Sequence, residues 1–398
     1  MSDDNSLDSI QIPFSLDRSI LPMSVEFNLP HRLKFWDSVV RPWLKKYGYT
    51  MYEFGFYDNE TLHWCWMWPS VNIVETASSS PGPYAFYDKA ADPNEVLEMN
   101  PPPYASDSVG RSEIQVLQTL FKKQKLFAEN AVPGIIPIID LLPFGGHWLV
   151  VMPRWGMNPR KPWSNTVGEI LVYIRSLLQG LVSLHGYRIV HQDIANRNIL
   201  INHFPISEEW DSEMRPNLRR DGRAKYALYD FDLSRIVPAG IDRLSYKDFP
   251  ILTDELDLLD DFLLGQYDFD PFACDVALLG LSLVQITGVG HHMYYFLVPL
   301  TDKMLTWEVE KRLTAQQALC FFDDMFSELT ATDLERPPAL REFGLDVVGY
   351  WGMLSPDQVA RWAHMRSPLR PRWRRFLHLL CKNRIGRYLT HLVRRMMR

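Results

Sequence analysis

Apolar residues recur along this chain in two rhythms. Val167, Ile170, Leu171, Ile174, Leu177, Leu178, Leu181 and Leu184 repeat at helical spacing, which predicts a helix with one buried face. Thr166 and Glu169 stand as a capping box at its start, and Ser112 with Gln115 stands the same way before Ile114, Leu117, Leu120 and Phe121. A further helix is predicted within residues 31–48, from Leu33, Phe35, Trp36, Val39, Val40, Trp43 and Leu44. Short apolar runs predict strands at Arg188–His191, Ile199–Asn202 and Tyr226–Tyr229. Val132–Asp140 and Trp148–Met152 predict two more, joined by a hairpin at Gly145-Gly146. The mixture is α+β. The longest uncharged apolar run, Val276 to Gly290, is too short to span a bilayer, so no transmembrane segment is expected.

Two polar stretches interrupt this pattern with chemistry. His191-Gln192-Asp193-Ile194-Ala195-Asn196-Arg197-Asn198 lies between two predicted strands, and Tyr229-Asp230-Phe231-Asp232 follows a third. One carboxylate can orient an attacking hydroxyl and accept its proton. A second carboxylate and an amide oxygen can hold the metal ions that neutralise nucleotide phosphates. Asp193 fits the first role, and Asn198 and Asp230 fit the second.

In this order and setting, Leu184-His185, Ile189 to Asp193 and Asn198-Ile199-Leu200 resemble the catalytic loop of the eukaryotic protein kinases. Asp230-Phe231-Asp232 stands where that family has Asp-Phe-Gly. The helix after Ser112 resembles the kinase C-helix, with Glu113 in the ion-pairing position. The strands before residue 153 resemble those leading to the nucleotide hinge, which puts Val151, Met152, Pro153 and Arg154 against ATP. Asp275-Val276-Ala277-Leu278-Leu279-Gly280 resembles the buried helix of the large lobe, whose Asp anchors the catalytic loop backbone. Lys311-Arg312-Leu313-Thr314-Ala315 matches a further family signature. The resemblance covers about residues 110–325. It implies a two-lobed protein kinase-like fold with a small β-rich N-lobe and a larger helical C-lobe. The divisions are an extension with a helix (1–48), an incomplete N-lobe (49–153), the C-lobe (154–328) and a C-terminal extension (329–398). It also implies ATP and Mg²⁺ as cofactors, Asp193, Arg197 and Asn198 as catalytic residues, and Asn198 and Asp230 as metal ligands. The stretches 150–156, 226–234 and 267–275 further resemble uncharacterised fungal protein kinase-like sequences.

Departures from the family pattern bear on activity. Lys89 is the only lysine between Thr50 and Glu113, in a loop-like context, so the strand carrying the phosphate-gripping Lys reads as shortened or deleted. Ala105 to Arg111 reads as the hairpin preceding it. No GxGxxG loop is present. Gln192 replaces the Arg beside the catalytic Asp, and Asp232 replaces the Gly after Phe231, where it reads as a backbone cap or an added metal ligand. Ala195 and Arg197 follow the tyrosine-kinase pattern. Three functions stay open: a protein kinase acting on a Ser, Thr or Tyr hydroxyl, a pseudokinase that binds nucleotide with little or no transfer, and a small-molecule phosphotransferase. The last lacks the segments around Asp275 and Lys311–Leu319.

Charge adds a partner. Twelve of the 42 Lys and Arg follow Asp357, and none of the 48 Asp and Glu does. The body is therefore near −18 and the tail near +12. Phe376, Leu379, Leu380, Ile385, Leu389, Leu392, Val393 and Met396 make the tail amphipathic. An anionic membrane surface, nucleic acid, or the chain's own acidic segment (Asp254, Glu255, Asp257, Asp260, Asp261) would suit it. The charged insert His203–Lys225 reads as a solvated loop. Four cysteines far apart in sequence, with no CxxC, predict neither a zinc site nor a disulfide framework and point to an intracellular, cytoplasmic or nuclear setting.

Overall fold

The structure is a computed structural model. It describes residues 36–49, 53–58, 63–67, 108–125, 132–144, 147–153, 155–203, 213–243, 246–247, 259, 264, 269–287, 295, 297–338, 351–369, 371–381 and 384–396. Lys89, Arg154, the turn at Gly145-Gly146 and the acidic residues 254–257 and 260–261 lie outside them. The fold is α+β, and it divides into two compact units. One comprises 1–132, 136–156 and 201–208, and the other 133–135, 157–200 and 209–398.

In the first unit, α1 (Arg41–Lys46) continues a π-helical turn, Trp36–Val40. Strands β1 (Glu53–Asp58) and β2 (His63–Met67) form an antiparallel pair. Helix α2 runs from Ser108 to Gln124 and buries Ile114, Leu117 and Leu120. It starts four residues before the expected cap. Ser112 and Gln115 therefore lie within the helix, and residues 108–111 are helical rather than part of a hairpin. Strands β3 (Asp140–Phe144) and β4 (His147–Val151) pair antiparallel, with Leu142 opposite Leu149. The strand expected over Val132–Asp140 begins only at Asp140. The segment before it is held by the buried Gln124 amide, which donates to the Ile136 carbonyl (2.9 Å) and accepts from the Ile138 amide (2.8 Å). A buried amide satisfied on both ends costs little, and here it replaces a ladder. The N-terminal helix packs on this hairpin, the Trp43 ring lying edge-on to Phe144 at 4.8 Å.

The second unit is built around α3 (Val167–Gly186). Thr166 caps it, accepting from the Glu169 amide. The Glu169 carboxylate reaches one residue further back than expected, to the Asn165 amide (2.9 Å). Leu171, Ile174, Leu177, Leu178, Leu181 and Leu184 are fully buried. Among the described residues α3 is the one helix long and apolar enough to cross a membrane, and 56% of its apolar window is buried inside the protein. That is the environment of a core helix.

Short strands β5 (Ile189–Val190), β6 (Ile199–Ile201), β7 (Tyr226–Leu228) and β8 (Arg235–Ile236) pair as β5 with β8 and β6 with β7. Residues 133–135 cross α3 with backbone against backbone. A Cβ added to Gly180 would lie 2.3 Å from the Gly134 carbonyl oxygen, so only glycine permits the approach. The same carbonyl accepts from the Leu228 amide (2.9 Å), which ties β7 to the crossing.

The charged insert is not merely a solvated loop. It contains α4 (Met214–Arg220), whose Arg215 and Arg219 are buried. Arg215 donates to the carbonyls of Met157, Asn158 and Lys161, and Arg219 to those of Pro159 and Pro162. Burial pulls the Arg215 guanidinium down to about 10. Helix α5 (Pro271–Thr287) is the buried apolar helix, and α6 (Leu297–Met304) packs beside it. Helix α7 (Ala315–Ser327) opens on a capping box between Thr314 and Gln317 and packs on α3.

The C-terminal extension docks on this unit. Trp351 Nε1 and the Ser367 amide both donate to the Asp302 carboxylate of α6 (2.7 and 2.9 Å). Arg361, at the end of α9 (Pro356–Arg361, after α8 at Ala331–Glu335), pairs with Glu328 on its Nη1 at 2.9 Å. Two helices close the chain, α10 (Arg372–Leu380) and α11 (Arg384–Met396).

Candidate active site

Three carboxylates meet where the β5–β6 loop faces the turn after β7. Asp193, Asp230 and Asp232 each offer an oxygen, and the three oxygens lie within 4.8 Å of one another. Asp193 and Asp230 are buried, and Asp232 is partly so. Like charges this close repel strongly in a low-dielectric setting, so the arrangement needs nearby positive charge. Arg197 supplies part of it: its Nη2 donates to both Asp193 oxygens, at 2.8 and 3.0 Å. Asn198 Nδ2 donates to the Asp193 carbonyl (2.9 Å) and to its Oδ2 (2.8 Å). With its nitrogen so committed, the Asn198 amide offers its oxygen as the remaining ligand atom.

The loop is fixed from below by one buried carboxylate. Asp275 on α5 is wholly buried and accepts from the His191 amide (2.7 Å), the Gln192 amide (2.7 Å) and His185 Nε2 (3.1 Å). The His191 ring bridges the loop to the next segment. Its Nε2 faces the Tyr229 carbonyl (3.1 Å) while Nδ1 accepts from the Asp193 amide (3.3 Å), so Nε2 carries the proton. Ser234 Oγ donates back to the His191 carbonyl (3.1 Å). Gln192 and Asp230 have φ of 65° and 71°, the left-handed region that non-glycine residues enter at a cost of about 1 kcal/mol or more. Gln192 precedes Asp193 and Asp230 bears one of the carboxylates, so these turns set the direction in which the chain carries both groups.

All the expected groups of the loop thus meet: Asp193, Arg197, Asn198 and Asp230 share one network. Asp232 joins them, so its place is with the metal-ligand candidates rather than with backbone caps alone. The spacing Asp-x-Asp after a strand was the signal for it. Every donor in the group is oxygen, the set that suits a hard divalent cation such as Mg²⁺ rather than a soft metal. Glu113, buried on α2, and Val151, Met152 and Pro153, at the end of β4 and just after it, belong to the first unit. No protein-family model matches the chain, and no curated protein matches it at a significant level.

Proposed function

We propose that the chain is an ATP-dependent protein kinase with a two-lobed kinase-like fold. The observation that carries the reading is the network of Asp193, Arg197, Asn198, Asp230 and Asp232, hung on Asp275. In the proposed reaction the acceptor hydroxyl oxygen bonds the γ-phosphorus, the bond to the departing ADP oxygen breaks, and the hydroxyl proton passes to Asp193. A base must be held still against its substrate, and three hydrogen bonds from Arg197 and Asn198 do so. Arg197 also sets a positive charge beside the position where phosphoryl charge develops. Asn198, Asp230 and Asp232 would hold Mg²⁺, which when bound neutralises phosphate charge. By resemblance alone, Glu113 and Val151, Met152, Pro153 and Arg154 are assigned to the nucleotide. An intracellular location, cytoplasmic or nuclear, belongs with this reading: ATP is the donor, and Cys274, Cys320 and Cys381 are free thiols.

A second reading is favoured by the sequence before Glu113, which has neither a glycine-rich loop nor a lysine on a recognisable strand. It is a pseudokinase that binds nucleotide with little or no transfer. Thermal shift with Mg-ATP on the wild type and on Asp230→Ala, followed by a γ-phosphate transfer assay, separates the two. A shift lost in Asp230→Ala, together with transfer, supports the kinase. A shift without transfer supports the pseudokinase, and no nucleotide-dependent shift overturns both.

A further inference from the structure

The last two helices turn apolar side chains outward. At helical spacing α10 presents Trp373, Phe376 and Leu380, and α11 presents Ile385, Leu389 and Met396. In a helix that packs on a protein core such a stripe is buried and the polar face is wet. Here Phe376 is 61% exposed, Ile385 72%, Leu389 55% and Met396 78%, whereas Arg374 is 5% and His391 8% exposed. The Arg374 guanidinium instead lies over the Trp307 ring at 4.6 Å, anchoring α10 to the body. The two helices are also tied to each other. Arg387 Nε donates to the Cys381 carbonyl (3.1 Å), and Cys381 Sγ meets Thr390 Oγ1 at 3.3 Å. The exposed apolar side chains therefore lie on two helices tied together at Cys381, and exposed apolar side chains clustered in this way mark an interaction surface.

Charge identifies what covers it. Residues 372–398 carry nine Arg and Lys and no Asp or Glu. A second copy would bring the same unbalanced positive charge to the contact. A nucleic acid would satisfy the arginines but leave the apolar stripe in water. Leu259 of the acidic segment and Leu264 just after it are themselves buried and are not available to cover it. An anionic lipid surface meets both demands: acyl chains take the stripe, headgroups take outward cations such as the exposed Arg372, and Trp373 and Tyr388 are the aromatic types that favour the boundary. We propose that α10 and α11 form a membrane-surface anchor that binds anionic phospholipid in the plane of the interface. It is independent of any phosphotransfer by the loop around Asp193.

Flotation of the full chain with phosphatidylserine-containing vesicles, against pure phosphatidylcholine vesicles, tests this. Each surface cation contributes roughly fivefold to partitioning, so two engaged arginines already give more than about tenfold preference for the anionic vesicles. The double variant Phe376→Ser, Leu389→Ser alters two exposed side chains. Its melting temperature should stay at the wild-type value while flotation is lost. The proposal is overturned by equal recovery with both vesicles or with neither. It is also overturned by undiminished flotation of the double variant, or by a wild-type dimer that the double variant converts to monomer. Competition of flotation by RNA at equal phosphate concentration would likewise overturn it.

Discussion

Asp275→Asn tests how the candidate site is built. The wild-type carboxylate takes two backbone amides at 2.7 Å each and the His185 ring at 3.1 Å, with no water-accessible surface. Asparagine keeps the shape and one acceptor oxygen, but its NH₂ must face one of the donors. One charge-assisted hydrogen bond is then lost, about 1.5–3 kcal/mol, and one buried N–H is left without an acceptor, about 1–3 kcal/mol. Together the change costs the second unit about 2.5–6 kcal/mol. Urea unfolding followed by tryptophan fluorescence measures it, as a fall in midpoint at constant slope. Hydrogen exchange at His191 and Gln192 locates it. Asp323→Asn is the control: its pair with Arg175 is 2.7 Å long but exposed on both sides, and such pairs are worth about 1 kcal/mol or less. If Asp275→Asn costs no more than Asp323→Asn, Asp275 does not hold the loop and the account of the site fails.

Gly180→Ala should destabilise by about 1–3 kcal/mol or more, since the new Cβ would fall 2.3 Å from a backbone oxygen; Gly186→Ala, with open space around it, should not. Thermal melts of the pair decide this, and equal melting temperatures would refute the crossing. If the chain is the kinase proposed, Arg197→Met should lower phosphate transfer on the order of 10²-fold with little change in melting temperature, because the Arg side chain is half exposed; unaltered transfer would remove Arg197 from the site. The Arg361 hydrogen bond holds Glu328 below its ordinary carboxylate range, and the Thr330 hydroxyl and amide do the same for Asp333. Both carboxyls release protons more readily when folded. Their stabilisation is therefore present above the unfolded-state pKa and is lost as pH falls through the depressed folded value. Glu328→Gln should accordingly be less stable than wild type at neutral pH and equal to it in acid. A gap that persists in acid would contradict the linkage.

How much of this was legible in the sequence depended on whether a residue's partner is near it in the chain. The helix at Val167–Gly186 and its Thr166 cap are local, and periodicity located both. The loop from His191 to Asn198 was legible because the polar residues themselves are unusual between apolar strands. Arg215 and Arg219 were misread as solvated because charge in a polar run normally is. Their acceptors are carbonyls at 157–162, over fifty positions away, and no local pattern shows them. The start of α2 was misplaced because Ser112 and Gln115 fit inside a helix as well as at its cap. For Asp232 the sequence left a backbone cap and a metal ligand open, and the turn between β7 and β8 brings its carboxylate within reach of Asp193 and Asp230. In the tail the sequence showed amphipathicity, but not which face would be turned outward.

The anchoring of the loop also has a consequence in time. His191 and Gln192 find their acceptor 84 and 83 residues later in the chain, and Trp351 and Ser367 reach back 49 and 65 residues to Asp302. Contacts so distant in sequence form late, after the loop-closure cost has been met. During synthesis the loop bearing Asp193 leaves the ribosome long before its support exists. A nascent fragment ending short of residue 275 should leave the His191 and Gln192 amides open to exchange, while the finished chain protects them. The loop bearing the acidic group thus waits through the 83 residues that separate Gln192 from Asp275 before the carboxylate that holds it is made.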